Sequence, residues 1–331
     1  MFSRRVILIN LLVITVILII AEVISRAVIA NVYTRSFDSA LIKDNAYNTS
    51  SGLYPNKQGV VWGLPFATDV FGCRKTSKPF DKKKKTWLFI GDSVTQGVGV
   101  EDSSTFASIV ADEIDSVNVL NLSMIGWSVA DYANVIDYIM KDSTNAMNIQ
   151  RITICYCLND VYGATKTSDL PVMGKQGTTG KLNSFLQEHY YTYKLFKLWA
   201  FSNKNSYLAY DEAFYTKKEG YFEKAADVMG RMYYLTGFKR FDFDAIVLPY
   251  RGQLKEDKAP DRHELPQGMP LAQTIMYEFN MRHVIAKSPM LYMYKNGPSN
   301  KNKLYLFADE IHLSEAGHRL VADFLLRKPT K

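Results

Sequence analysis

The chain has 331 residues, 47% of them hydrophobic and 22% charged, which excludes a disordered polymer and allows one large core or two modest ones. Its formal charge of +7 is mild. The densest basic piece, the lysines at 82–85, has no interleaved aromatics and reads as a solvated loop, so no nucleic-acid partner is expected. The three cysteines, Cys73, Cys155 and Cys157, have neither the number nor the spacing of a disulfide framework or a metal site.

Arg4 and Arg5 precede residues 6–21, VILINLLVITVILIIA, sixteen residues without a charge. As a helix these span about 24 Å, and the pattern continues through EVISRAVIA, where Glu22 and Arg26 stand at i and i+4 and can pair. Residues 1–30 therefore read as a membrane anchor with a cytoplasmic N-terminus and the rest of the chain outside, in a cell envelope. A cleaved signal peptide ending at Val28-Ile29-Ala30 is the rival; the length of the apolar region and the charge of Arg26 favour an uncleaved anchor. A buried core helix is disfavoured by the terminal position and the flanking arginines.

Residues 31–85 are polar, with scattered glycine and proline, and read as a juxtamembrane lead-in with short extended pieces. A larger domain at 86–328 follows, in which short apolar runs alternate with helical patterns. Strands are expected at 87–90, 117–123, 151–157, 244–250 and 303–308, and helices at 105–114, 128–141 and 314–328. Strands separated by helices imply right-handed crossovers, hence an α/β fold with a five-stranded parallel sheet covered on both faces. The stretch 162–243 reads as an insertion, loop at first and then helical and aromatic. Core packing of those aromatics is the commoner explanation; a sugar-stacking platform is the sharper one. A substrate lid is a fair reading of so long an excursion.

Ligands of open parallel sheets bind at the carboxyl ends of the strands. There the sequence delivers Gly91-Asp92-Ser93, Gly126, Asn159-Asp160 and Asp309-Glu310-Ile311-His312, from four separate segments. Acyl transfer needs this set. A serine hydroxyl is a poor nucleophile until an imidazole takes its proton, so Ser93 pairs with His312, and Asp309 orients the ring. The oxyanion needs donors, which the backbone N–H groups of Ser93 and Gly126 and the Asn159 amide can provide. Asp92 reads as a brace for the turn. Arg251 and Gln253, after the fourth strand, are candidates for substrate binding. His189, His263 and His283 lack a partner at fixed spacing, and His318 falls inside the last helix, where it packs or caps.

These blocks resemble the SGNH (GDSL-type) hydrolase family over about residues 87–327. The segments GVGVEDSSTF, HLSEAGH and DVFGCRKT are similar to those of its membrane-anchored bacterial members. The resemblance implies a flavodoxin-like three-layer sandwich and metal-independent ester chemistry through an acyl-serine, with no cofactor. One departure is Leu158, where the family usually has glycine before its asparagine. Other machinery is excluded on pattern. Thr95 breaks a Gly-x-Ser-x-Gly elbow, Asp102 replaces the third glycine of a dinucleotide loop, and no H-E-x-x-H occurs. The expected function is an esterase removing short acyl groups from cell-envelope glycans or small esters. The alternatives are an O-acyltransferase that modifies an extracytoplasmic polysaccharide and a non-catalytic glycan-binding or assembly protein.

Overall fold

The computed structural model describes residues 3–32, 36–142, 144–164, 185–186, 189–201, 206–216, 220–254, 268–307 and 309–327. The chain forms two compact units, Met1–Ser36 with Pro171–Lys204, and Phe37–Leu170 with Asn205–Lys331.

The first unit contains the helix Arg4–Val32. Its segment Arg4–Ala27, with a mean hydropathy of 3.0, is the one helix among the described residues long and apolar enough to cross a membrane. The expected Glu22–Arg26 pair forms, at 3.1 Å. Glu22 also accepts the Tyr191 and Thr192 backbone N–H groups, at 3.0 and 2.9 Å. It thereby caps the helix Tyr191–Phe201, whose first N–H groups have no partner within the helix.

In the second unit five parallel strands run in the order β6-β5-β7-β8-β9, with β5 Lys85–Gly91, β6 Val117–Ser123, β7 Ile149–Tyr156, β8 Asp242–Val247 and β9 Ile285–Lys287. Trp87, Leu88, Phe89 and Ile90 are all buried. A central parallel strand covered on both faces is written as such a continuous apolar run. Helices Phe106–Glu113 and Glu315–Leu326 pack on each other, as do Val129–Lys141 and Tyr221–Phe238, giving the helix layers that flank the sheet.

The fifth strand differs from expectation. It is β9, three residues long with Ala286 as its one buried side chain, too short to write an apolar run. Residues Lys301–Leu304 instead form a 3₁₀ turn, and Tyr305 makes an isolated antiparallel bridge to Leu313. The backbone turns there because Leu306 N–H donates to the His312 carbonyl and Asp309 N–H to the Leu306 carbonyl, closing the loop that carries Asp309 and His312. Helices Met269–Met281 and Met290–Asn296 were not expected either.

The stretch 162–243 divides. Helix Tyr221–Phe238 packs on Val129–Lys141 and on β8, so it is the crossover between β7 and β8 and belongs to the sandwich. Phe214 and Phe222 are buried, and Phe214 contacts the rings of Tyr162, Tyr210 and Tyr221, which is core packing. Residues 165–184 lie outside the described residues. The lead-in also joins this unit, as two antiparallel hairpins, β1 Ile42–Tyr47 with β2 Ser50–Leu53 and β3 Gln58–Val61 with β4 Leu64–Ala67.

Candidate active site

β5 ends at Gly91, where a Cβ would lie 2.1 Å from Thr95 Oγ1, so only glycine lets the strand turn directly into the short helix Ser93–Gln96. Asp92, fully buried, caps that helix by accepting the Val94 N–H at 2.9 Å. This is the bracing role expected of it. Burial pushes its carboxyl above the ordinary range, against the hydrogen bond from Val94.

Below this turn lies a residue that sequence reasoning missed. Arg74 is 2% exposed and donates to the carbonyls of Gln96 at 2.6 Å and Val100 at 2.7 Å, and to Asp102 at 2.8 Å. Its planar fork holds the chain leaving Ser93 from beneath. The signal was present only as the CRKT segment of the lead-in.

Ser93 Oγ lies 2.9 Å from His312 Nε2, and His312 Nδ1 lies 2.9 Å from Asp309 Oδ2. The other Asp309 oxygen accepts the backbone N–H groups of Ile311 and His312, both at 2.8 Å. Burial opposes the charge on Asp309. The facing His312, its ring hydrogen bond and the two backbone donors outweigh it and hold the carboxyl well below the usual range. A carboxylate in this position fixes the tautomer that leaves Nε2 free to take a proton from Ser93.

Gly126 has φ +81°, and a Cβ there would meet nothing within 4 Å. Its N–H and that of Ser93 have no hydrogen-bond partner among the described residues. Asn159 Nδ2 is 3.4 Å from Asp92 Oδ2, which brings the third expected donor beside the serine turn despite Leu158, itself fully buried. The arrangement can deprotonate a hydroxyl and receive a negative oxygen.

The sequence pattern of the family described as GDSL-like Lipase/Acylhydrolase matches residues 88–325. The chain belongs to this family. It is accordingly a serine ester hydrolase. Among solved structures it is similar to a G-D-S-L family lipolytic protein from Veillonella parvula, with 15% identity, 75% of this chain and 99% of the other covered, and a TM-score of 0.40. It is similar also to a mutant of the acetylxylan esterase Axe2 from Geobacillus stearothermophilus, with 13% identity, 76% and 97% covered, and a TM-score of 0.40. A third is the Bacillus subtilis protein YXIM, with 13% identity, 82% and 62% covered, and a TM-score of 0.43. The comparison with curated proteins yields no match.

In this GDSL-like hydrolase Arg251 and Gln253 are buried. The Arg251 N–H donates to the Glu310 carbonyl at 2.8 Å and ties the end of β8 to the His312 loop. Gln253 Oε1 accepts the Tyr250 N–H at 2.8 Å, so this side chain closes its own turn. His318 is buried, and its Nδ1 accepts the Phe106 N–H; burial and the nearby Arg74 push it down to about 3, so it stays neutral in the packing role expected of it. His189 stacks on Phe185, His283 stacks on Tyr233, and His263 lies outside the described residues. A further missed residue is Trp62, whose ring meets that of His312 at 4.7 Å between centroids.

Proposed function

We propose that Ser93 is the nucleophile of an acyl-serine esterase that removes short acyl groups from cell-envelope glycans or small esters. The observation carrying this reading is the unbroken chain from Ser93 Oγ to His312 to Asp309, each contact at 2.9 Å. Ser93 Oγ attacks the acyl carbon as its proton passes to His312 Nε2, and Asp309 stabilises the imidazolium. The carbonyl oxygen takes up the electron pair and is held by the Ser93 and Gly126 N–H groups and the Asn159 amide. Collapse breaks the ester bond, and the departing alcohol takes the proton from His312. Water then attacks the acyl-serine with His312 as base, releasing the acid and restoring Ser93.

The setting belongs to the same reading. The apolar helix Arg4–Ala27, with Arg4 and Arg5 at its N-terminal end, supports a single membrane span with its N-terminus in the cytoplasm and the hydrolase outside. An anchor at 1–30, a lead-in at 31–85 and the hydrolase at 86–328 complete the reading, with the lead-in from Phe37 clustering in the same compact unit as the sheet.

The test is hydrolysis of an activated short-chain ester by the detergent-solubilised full chain. Ser93→Ala is expected to remove nearly all of the rate. A wild type no faster than Ser93→Ala would overturn the reading in favour of a glycan-binding protein. Acyl groups appearing on an added envelope oligosaccharide, read by mass, would replace hydrolysis with transfer to a hydroxyl acceptor.

A further inference from the structure

Helix Ser206–Thr216 carries a carboxyl, Asp211, that is 2% exposed and stands outside the Ser93–His312–Asp309 chain. Its Oδ2 lies 2.7 Å from the Tyr250 hydroxyl. That hydroxyl is also 3.1 Å from Asn159 Oδ1, and it accepts the Asn159 backbone N–H at 3.2 Å. The row runs from a helix in the 162–243 stretch to the side chain proposed to face the oxyanion.

A phenol has one proton to donate. If Asp211 is ionised, it is the nearer and stronger acceptor and takes that proton. Asn159 Oδ1 then faces an oxygen lone pair, and the long contact of Nδ2 with Asp92, 3.4 Å, is left to hold the amide against that repulsion. If Asp211 is protonated, its O–H donates to Tyr250 Oη, and the phenol proton passes to Asn159 Oδ1. Oη then accepts two hydrogen bonds and donates one, and every group in the row is satisfied. This second arrangement adds a donor to Oδ1 at 3.1 Å and so fixes Nδ2 on the side of Asp92 and the reacting oxygen from both ends of the amide.

We propose that Asp211 is a positioning residue of the esterase site, acting as a carboxylic acid that orients the Asn159 amide through Tyr250. This rests on the reading of Asn159 as an oxyanion donor. Burial and the charge of Glu310 push Asp211 up to about 7, against the hydrogen bond from Tyr250. Glu310 comes from the His312 loop and Tyr250 from the turn after β8. Beside Tyr250 stand Asp92 and Cys157, and Tyr215 on the helix of Asp211 itself. Burial holds the Tyr250 phenol well above its ordinary range, so it keeps its proton throughout.

The experiment uses the full chain and an activated acetyl ester. Tyr250→Phe removes the donor and is expected to lower kcat by about tenfold to hundredfold, with KM within about twofold. Asp211→Ala lowers it comparably. Asp211→Asn, whose amide donates to Oη as the acid does, restores what Asp211→Ala loses. It is also expected to abolish the fall in kcat that the proposal predicts for the wild type as the pH rises through about 7. In Ser93→Ala protein the infrared C=O band of carboxylic acids below that pH is expected to lose one component on adding Asp211→Asn, the remainder belonging to other buried carboxyls such as Asp92 and Asp160. Wild-type kcat in Tyr250→Phe, an unchanged alkaline fall in Asp211→Asn, or an acid band unaltered by Asp211→Asn would each overturn the proposal. Failure of the esterase reading looks different: the wild type is then no faster than Ser93→Ala, whatever the band shows.

Discussion

The indole of Trp62 meets the imidazole of His312 at 4.7 Å between ring centroids, in an edge-to-face arrangement. Trp62 sits at the tip of the β3–β4 hairpin with φ +51°, followed by Gly63 at φ +77°. Two residues of positive φ make the turn that matches strand twist, but the first is usually asparagine or glycine. A bulky residue in that conformation costs about 1–3 kcal/mol and persists where the surroundings demand it.

The contact with His312 explains the demand. Trp62→Gly relieves about 1 kcal/mol of backbone strain but removes an indole packed on Leu41, Leu53, Val61, Phe66 and Val98, so stability is expected to fall by about 1–2 kcal/mol, while kcat/KM for short esters falls about tenfold or more. Urea denaturation and steady-state kinetics on the same preparations check both halves. A variant that loses stability and keeps its kcat/KM would assign Trp62 to the fold alone.

Arg74 offers a prediction for stability. Arg74→Met leaves the carbonyls of Gln96 and Val100 without their donor and Asp102 without its ion pair, beneath the serine turn. Removing one partner of a buried pair costs about 3–5 kcal/mol. A denaturation midpoint near wild type would show that the loop is held by other means.

Asp309 sets a pH dependence of stability. Its folded pKa is depressed, so its contribution is fully present above the unfolded carboxylate pKa and is lost as pH falls through the folded value. Asp211 runs the other way. Raised to about 7, it binds a proton in the folded state that the unfolded chain releases, so its share of stability falls as pH climbs from the ordinary carboxylate range toward 7. Asp309→Asn should therefore flatten the acid side of a stability profile, and Asp211→Asn should remove the fall as pH climbs from about 4 to 7. Denaturant midpoints measured across pH read both, and parallel profiles for all three proteins would contradict both assignments.

Gly126 is the simplest test of the rim. Gly126→Ala adds a methyl in open space, so packing is unaffected, but φ +81° is strained for alanine by about 1 kcal/mol. The backbone relaxes by turning its N–H, and kcat should fall about tenfold or more with little change in KM. An unchanged kcat would remove Gly126 from the donor set.

How much of this was legible follows from the range over which each residue acts. Asp309 and His312 are three apart, and Ser93 directly follows a strand whose apolar run reports burial on both faces, so local pattern exposes them. The parallel sheet was readable for the same reason, apart from β9, where one buried alanine leaves no pattern. Asn159 and Gly126 were readable as loop residues at strand ends, although Leu158 departs from the expected block.

Sequence alone thus determined the fold class, the apolar N-terminal helix and the residue types that gather at the sheet's rim, because backbone period and strand ends are local properties. The tertiary structure decided what surrounds them. Tyr250 reaches Asn159 across 91 residues of chain, and the hairpin carrying Trp62 packs on an imidazole far along the sequence. Such contacts depend on which surfaces the core brings together, and no periodicity or spacing in one dimension encodes them.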